Sequence, residues 1–125
     1  MTAHFTDREL DIMQVLWRQG PSTVSEVQAV LDEGLAYTTV LTILRTLEAK
    51  GHVDHVGEGR AHRYHAVVTE EAARRSAVSR LVDRVFGGSV ESMLTQLIAD
   101  RRLKPADLEN LRKLVEQRTK GEKKR

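Results

Sequence analysis

Threonines recur in the segment YTTVLTILRT, beside a single arginine. On a helix that turns about 100° per residue, Thr38, Thr42 and Arg45 share one side, and Thr39 and Thr46 flank it. Short side chains would let such a helix approach the bases of the major groove, where a hydroxyl can bond a base edge and a methyl group can touch thymine. Threonine is a mediocre helix former, so helix stability alone explains the cluster poorly. The residue types therefore predict a DNA-recognition surface.

Neighbouring residues supply candidate phosphate contacts. Tyr37 immediately precedes the threonines, and Arg60 and Arg63 lie in a hairpin-like segment that follows them. Phosphate contacts position a protein on a duplex without reading its sequence. Because the N-terminal residues of a recognition helix usually reach the bases, base contacts are assigned first to the first three threonines of the segment.

Three helical patterns precede the hairpin and would position these residues. Thr6 with Glu9, and Thr23 with Glu26, have the spacing of capping boxes at the starts of the first two helices. The third helix follows Ala36, which is a poor cap. The predicted helices run from Asp7 to about Gln19, from Val24 to Gly34 and from about Tyr37 to Lys50. The apolar face of the first helix consists of Leu10, Met13, Val15, Leu16 and Trp17. That of the second consists of Val24, Val27, Val30 and Leu31, and that of the third of Val40, Ile43, Leu44 and Leu47.

Residues 52–68 change to a pattern rich in β-branched residues and histidine, which is typical of strands. Gly57-Glu58-Gly59-Arg60 interrupts the pattern, so two antiparallel strands are predicted at about 52–56 and 61–67. Two short helices joined by a tight turn are typical of a helix-turn-helix, and a hairpin directly after them indicates a winged helix. The predicted fold class is mainly α with a small β-hairpin, with a winged helix-turn-helix domain over residues 1–68.

Three further helical patterns start at Thr69, Ser89 and Pro105 and run to about residues 86, 101 and 118. Three short helices cannot easily enclose a core of their own. We therefore expect a helical dimerisation domain over 69–118 and a basic, disordered tail over 119–125; a monomer with a folded-back helical subdomain is the alternative. The predicted interface residues are Val78, Leu81, Val85, Phe86, Met93, Leu94, Leu97, Leu111 and Leu114.

Charge is divided unevenly along the chain. Residues 1–68 carry six Lys/Arg against nine Asp/Glu, whereas residues 69–125 carry fourteen against nine. The acidic residues of the first part lie largely on the first two helices, which could face away from a phosphate backbone. One such domain would bind DNA weakly, because non-specific affinity depends on phosphate neutralisation. Two copies related by a twofold axis would match a palindromic site.

Four of the five histidines lie in the hairpin segment. Residues three apart on a strand point to opposite faces, so the HxxH spacing is a poor metal motif there. A four-residue connection would instead place the following pairs opposite each other: His55 and His62, His52 and His65, Asp54 and Arg63, and Val53 and Tyr64. Two imidazoles make an incomplete zinc site. No metal and no cofactor are predicted, and a histidine-based metal-responsive regulator stays open as an alternative.

The composition narrows the function classes. The chain has 125 residues and no cysteine, which excludes disulfides, thiolate metal sites and cysteine nucleophiles. It has no apolar run near the ~18 residues of a membrane span and no apolar signal stretch at its start, so a cytoplasmic location is expected. No P-loop or GxSxG motif is present, and Glu70 with Glu71 suits the dipole of a helix start better than catalysis. No enzymatic activity is predicted.

Several segments, in order along the chain, resemble the BlaI/MecI/CopY family of bacterial repressors. They are FTDRELDIMQVLW, TVSEVQAVL, LAYTTVLTILRTLEAKG and GRAHRYHAV, and FGGSVESMLTQLI and PADLENLRKLVE are similar to the dimerisation helices of that family. The resemblance covers about residues 5–118. It implies a winged-helix repressor that binds an inverted-repeat operator as a homodimer, with Tyr37–Lys50 as the recognition helix.

The chain departs from this family at two points. CopY-type members sense copper through cysteine pairs near the C-terminus, and this chain has none. BlaI- and MecI-type members are cleaved at an Asn-Phe pair through a membrane sensor-protease pathway, and the corresponding residues here are Gln96 and Leu97. The resemblance leaves a sensor-protease pathway open as a partner, and the changed pair weakens the case for β-lactam induction.

The sequence thus predicts a transcriptional repressor whose partners are double-stranded DNA and a second copy of itself. A winged-helix protein-interaction module is an alternative that would show no salt-sensitive affinity for any duplex. The metal-responsive regulator would show DNA affinity that depends on metal.

Overall fold

The computed structural model describes residues 4–31, 34–57 and 62–123. Over this part of the chain, helices and one two-stranded antiparallel sheet follow one another in the order α1-α2-α3-β1-β2-α4-α5-α6. The predicted fold class, mainly α with a single β-hairpin, is confirmed. The elements are α1 (Asp7–Gln19), α2 (Val24–Leu31), α3 (Tyr37–Ala49), β1 (Val53–Val56), β2 (Arg63–Ala66), α4 (Glu70–Val85), α5 (Val90–Ala99) and α6 (Pro105–Lys123).

The helices start at the caps that the sequence predicts. Thr6 Oγ1 accepts from the Glu9 amide at 3.2 Å, and Glu9 Oε1 accepts from the Thr6 amide at 2.8 Å, so the first capping box is confirmed. The hydroxyls of Thr69 and Ser89 accept from backbone amides three residues further on, at the starts of α4 and α5. Ala36 provides no side-chain cap for α3, as expected.

One helix end differs from the prediction. α2 is described to Leu31, and its predicted end at Gly34 follows residues 32–33, which lie outside the described residues. α6 continues to Lys123, so residues 119–123, assigned above to a disordered tail, are helical. The tail contains three lysines and one glutamate, which are good helix formers, so its charge does not end the helix.

The first three helices pack against one another and, with the hairpin, enclose one apolar core. Most of the predicted apolar faces contribute to it. Leu10 and Val30 do not, because they are 39% and 48% exposed. The buried face of α1 instead centres on Ile12, which the sequence analysis left out, and Leu10 lies beyond its edge. The fully buried apolar side chains are Ile12, Met13, Val27, Val40, Leu44 and Leu47, and Tyr64 is 2% exposed.

Three polar residues are buried beside this core among the described residues, namely Glu9, Ser22 and His52. Glu9 is paired with the ammonium of Lys50 at 2.8 Å, which ties the start of α1 to the end of α3. Burial alone would raise the pKa of Glu9, but Lys50 and the capping bond with Thr6 hold it below its usual value. His52 stacks on Phe5 with 4.8 Å between ring centroids, and burial lowers its pKa, so it serves as a neutral core residue.

The register of the hairpin differs from the prediction by two residues. The observed pairs are Val53 with Ala66, Asp54 with His65, His55 with Tyr64, and Val56 with Arg63. The predicted pairs His55–His62, His52–His65, Asp54–Arg63 and Val53–Tyr64 are therefore wrong. β2 begins at Arg63, two residues later than predicted, so the connection is longer than the four residues assumed. A shift of two keeps each side chain on its own face of the sheet.

The hairpin is anchored to the turn between α1 and α2. The amide of Ser22 donates to the Tyr64 carbonyl at 2.9 Å, and the amide of Tyr64 donates to the Ser22 carbonyl at 2.8 Å. Trp17 Nε1 also donates to the Val68 carbonyl, just after β2, at 3.0 Å. These bonds fix the base of the wing against the helix-turn-helix.

The chain forms two compact units, Met1–Ser79 and Arg80–Arg125, and α4 spans the division between them. The predicted domain limits after residues 68 and 118 stay predictions. Among the described residues, no helix is both long enough and apolar enough to cross a bilayer. In the second unit, large apolar side chains of the single chain stay exposed: Leu81, Val85, Val90, Ile98, Leu108, Leu111, Leu114 and Val115.

Candidate nucleic-acid interface

The predicted recognition residues share an exposed face of α3. Thr38, Thr39, Thr42, Arg45 and Thr46 are all exposed, and the apolar residues of the same helix are buried on the other side. Tyr37, at the first turn, is 39% exposed. The face therefore consists of short hydroxyl side chains with one guanidinium, as the spacing predicted; its contact with DNA stays a prediction.

The threonine hydroxyls of this face fall into two groups. Thr42 Oγ1 donates to the Thr38 carbonyl at 2.8 Å, and Thr46 Oγ1 donates to the Thr42 carbonyl at 3.0 Å. Because the hydroxyl proton is donated to the helix backbone, the oxygen of each of these two threonines can only accept a hydrogen bond from DNA. Its methyl group can make an apolar contact. Thr38 and Thr39 make no side-chain hydrogen bond to any described residue, so their hydroxyls can donate or accept.

One edge of this face adjoins the wing through Tyr64. Burial raises the pKa of the Tyr64 phenol, the charge of Glu48 adds to that shift, and the neighbouring Arg45 guanidinium opposes it. The Arg45 guanidinium is therefore close enough to Tyr64 to act on it. Sequence reasoning missed Tyr64 and Glu48 because helical periodicity gives a face but not the strand that packs beside it.

Arg63 lies on the exposed side of β2 and is paired with Glu26 of α2, with 2.9 Å between Nη1 and Oε1. Glu26 also accepts from the Thr23 hydroxyl at 3.1 Å. That bond and the charge of Arg63 hold the pKa of Glu26 below its usual value, so the carboxylate stays ionised. The sequence analysis assigned Glu26 only to a cap. Arg60, the other predicted phosphate contact, lies outside the described residues.

The predicted dimer-interface residues divide into two groups by exposure. Val78, Leu81, Val85, Leu111 and Leu114 are exposed in the single chain. The others, Phe86, Met93, Leu94 and Leu97, are half-buried.

The family model for the penicillinase repressor matches residues 5–117. The chain belongs to the penicillinase repressor family. The resemblance drawn from the sequence segments is thereby confirmed, and membership makes the chain a winged-helix repressor of transcription.

Named relatives agree with this assignment. The transcriptional regulator BlaI of Mycobacterium tuberculosis is 35% identical over 96 residues, which cover 74% of this chain and 70% of that protein. The penicillinase repressor of Bacillus licheniformis is 25% identical over 114 residues, which cover 90% of this chain and 89% of that protein. The methicillin resistance regulatory protein MecI of Staphylococcus aureus is 17% identical over 116 residues, covering 91% and 94%.

Solved structures share the fold. A transcriptional regulator of Thermotoga maritima superposes with a TM-score of 0.52 at 22% identity, covering 96% of this chain and 78% of that one. A MarR family protein of Bacillus stearothermophilus gives a TM-score of 0.51 at 21% identity, covering 94% and 77%. These similarities support the winged-helix architecture only.

Proposed function

We propose that this repressor binds an inverted-repeat operator as a homodimer, with α3 in the major groove and the wing on the phosphates. The observation that carries the proposal is the exposed face of α3, on which four threonines and Arg45 stand opposite a buried apolar stripe. Short side chains suit a groove about 12 Å wide, and acceptor oxygens beside methyl groups suit base edges.

The exposed apolar side chains of the second unit support the homodimer. Soluble monomers rarely expose large contiguous apolar patches, and a second copy is the partner that a twofold operator requires. Two weakly binding winged domains would then combine on one site. Because its proposed target is double-stranded DNA, the proposed location is the cytoplasm.

Cleavage at Gln96–Leu97 is not part of the proposal. That peptide bond lies inside α5, and Nε2 of the Gln96 side chain donates to Asp100 Oδ2 across one helical turn at 3.2 Å. A protease would have to unwind this helix before its active site could bind the bond.

Selection of bound sequences from a random duplex pool tests the proposal. We expect the full chain to enrich a palindrome whose half-sites are about one helical turn of DNA apart, or a multiple of that spacing. Enrichment of a single unrepeated site would contradict the twofold arrangement, and absence of any enriched sequence would contradict sequence-specific binding.

The Glu26–Arg63 ion pair predicts opposite effects for its two members. Arg63→Ala should weaken binding to all duplexes and lower the slope of log K against log salt by about 1, because one phosphate contact is lost. Glu26→Gln should strengthen binding to all duplexes several-fold at low salt, because it removes a negative charge and frees the guanidinium. Fluorescence anisotropy at several salt concentrations measures both effects.

Glu91→Gln is the matched control, because Glu91 lies in the first turn of α5 and its substitution removes the same charge from the other unit. It should leave the affinity for DNA unchanged. Weaker binding of Glu26→Gln would show that Glu26 positions Arg63 instead of competing with phosphate for it.

A further inference from the structure

We propose a divalent metal site formed by Glu48, Asp54 and His55, where the last turn of α3 meets β1. One carboxylate oxygen of each acidic residue and one ring nitrogen of His55 lie within 4.8 Å of one another. This set differs from the histidine pair considered from the sequence: His55 is paired with Tyr64 in the hairpin register, although its ring still lies beside that of His62.

The local geometry explains how neighbouring strand residues converge. His55 Nδ1 is hydrogen-bonded to Glu48 Oε2, which turns the imidazole toward the helix. Asp54 would ordinarily point to the other face of the strand. Its Oδ1 instead accepts from the His55 amide at 2.8 Å, which brings the carboxylate back to the strand edge. Three ligand groups from two elements therefore surround one point.

The donor set suits a borderline divalent ion such as Zn²⁺. One imidazole and two carboxylates are three protein ligands of the types that zinc takes, with a position left for water. Ligand atoms around tetrahedral zinc are about 3.4 Å apart, given zinc–ligand bonds of ~2.1 Å.

A second imidazole stands beside the cluster. The ring of His62 lies 4.4 Å from that of His55, measured between centroids and tilted by 33°. A rotamer change of His62 would bring a fourth ligand within reach. A bound ion would replace the hydrogen bond between His55 and Glu48. Both side chains are accessible, at 33% and 28% exposure, so an ion can enter from solvent.

Occupation of the site would connect the recognition helix to the wing. The ion would bridge Glu48 of α3 to Asp54 and His55 of β1, and it would neutralise the charge of Glu48, which like Arg45 acts on Tyr64. If the proposed function holds, zinc should therefore strengthen DNA binding; this consequence rests on that proposal, whereas the metal site itself does not.

Calorimetric titration of the full chain with zinc chloride, without DNA, tests the site. We expect a stoichiometry of one ion per chain. His55→Ala and Glu48→Gln should each weaken zinc binding at least tenfold. His4→Ala, which removes an exposed histidine outside the cluster, should bind zinc as the unaltered chain does.

Absence of zinc binding, or equal affinity in His55→Ala and the unaltered chain, would overturn the site. Titration with Co²⁺ gives a second readout, because the visible absorption of the ion depends on its nitrogen and oxygen ligands. The spectrum of the Asp54→Asn variant, in which an exposed residue is changed, should differ from that of the unaltered chain. An unchanged spectrum would remove Asp54 from the ligand set. Anisotropy with an operator duplex, in zinc and in chelator, then tests the coupling: equal affinities would overturn it while leaving both the metal site and the repressor assignment standing.

Discussion

The double variant Thr39→Ala, Thr42→Ala is expected to lose about 10- to 100-fold of its affinity for the operator and almost none of its affinity for unrelated duplexes. Each good base contact contributes ~1–3 kcal/mol of discrimination, whereas non-specific binding depends on phosphate charge, which the variant keeps. Alanine is the better helix former, so α3 should not be weakened. Fluorescence anisotropy with operator and scrambled duplexes measures the ratio of the two affinities.

Single substitutions at Thr42 separate its hydroxyl from its methyl group. Thr42→Val keeps the shape and removes the oxygen that the structure leaves as an acceptor, and Thr42→Ser does the reverse. If Thr42 accepts from a base amino group, the valine variant loses operator affinity and the serine variant keeps it. If it contacts a thymine methyl, the order is reversed.

Thr95→Ala is the matched control, because Thr95 Oγ1 donates to the Glu91 carbonyl at 2.8 Å in the same i to i−4 geometry on α5. This variant should change neither the affinity for the operator nor the affinity for a scrambled duplex. Equal losses on operator and scrambled duplexes from the α3 variants would show that these threonines do not read bases.

Leu114→Glu is expected to convert the dimer to a monomer and to reduce operator affinity by at least 100-fold. Leu114 is 56% exposed on α6, so a glutamate there does not disturb the packing of a single chain. At a dimer interface it would place a carboxylate among apolar side chains, and an unpaired buried charge is strongly unfavourable. Light scattering coupled to size exclusion gives the mass, and circular dichroism checks that the helices remain.

Gln117→Glu makes the same charge change on an exposed part of α6 outside the apolar face, and it should remain dimeric. A Leu114→Glu variant that stays dimeric would place the interface elsewhere on the chain. In that case the half-buried group, with Leu94, would be the next surface to test, at the risk of disturbing the packing within one chain.

The charge distribution shows why local arrangement matters more than half-chain sums. The first 68 residues carry more acid than base, and yet the exposed face of α3 contains no carboxylate among its threonines. The nearest acidic groups are paired: Glu26 with Arg63, and Glu48 with His55. Weak phosphate attraction by one domain is consistent with a repressor that depends on two copies for its affinity.

The sequence by itself determined the helices, their caps and the exposed threonine face of α3, because these depend on residues three or four apart along the chain. It also determined the family, since the matching segments follow in order over nearly the whole length. The burial of Ile12 in place of Leu10 was within reach of the same periodicity and was missed.

Only the tertiary structure decided the hairpin register, the pairing of Arg63 with Glu26 and the meeting of Glu48 with Asp54 and His55. Two alternative registers that differ by two residues bury the same faces, so alternation along a strand cannot distinguish them. The other contacts join groups on different elements, whose distances are set by how the helices and the wing pack around Tyr64 and the core. No local pattern carries that information.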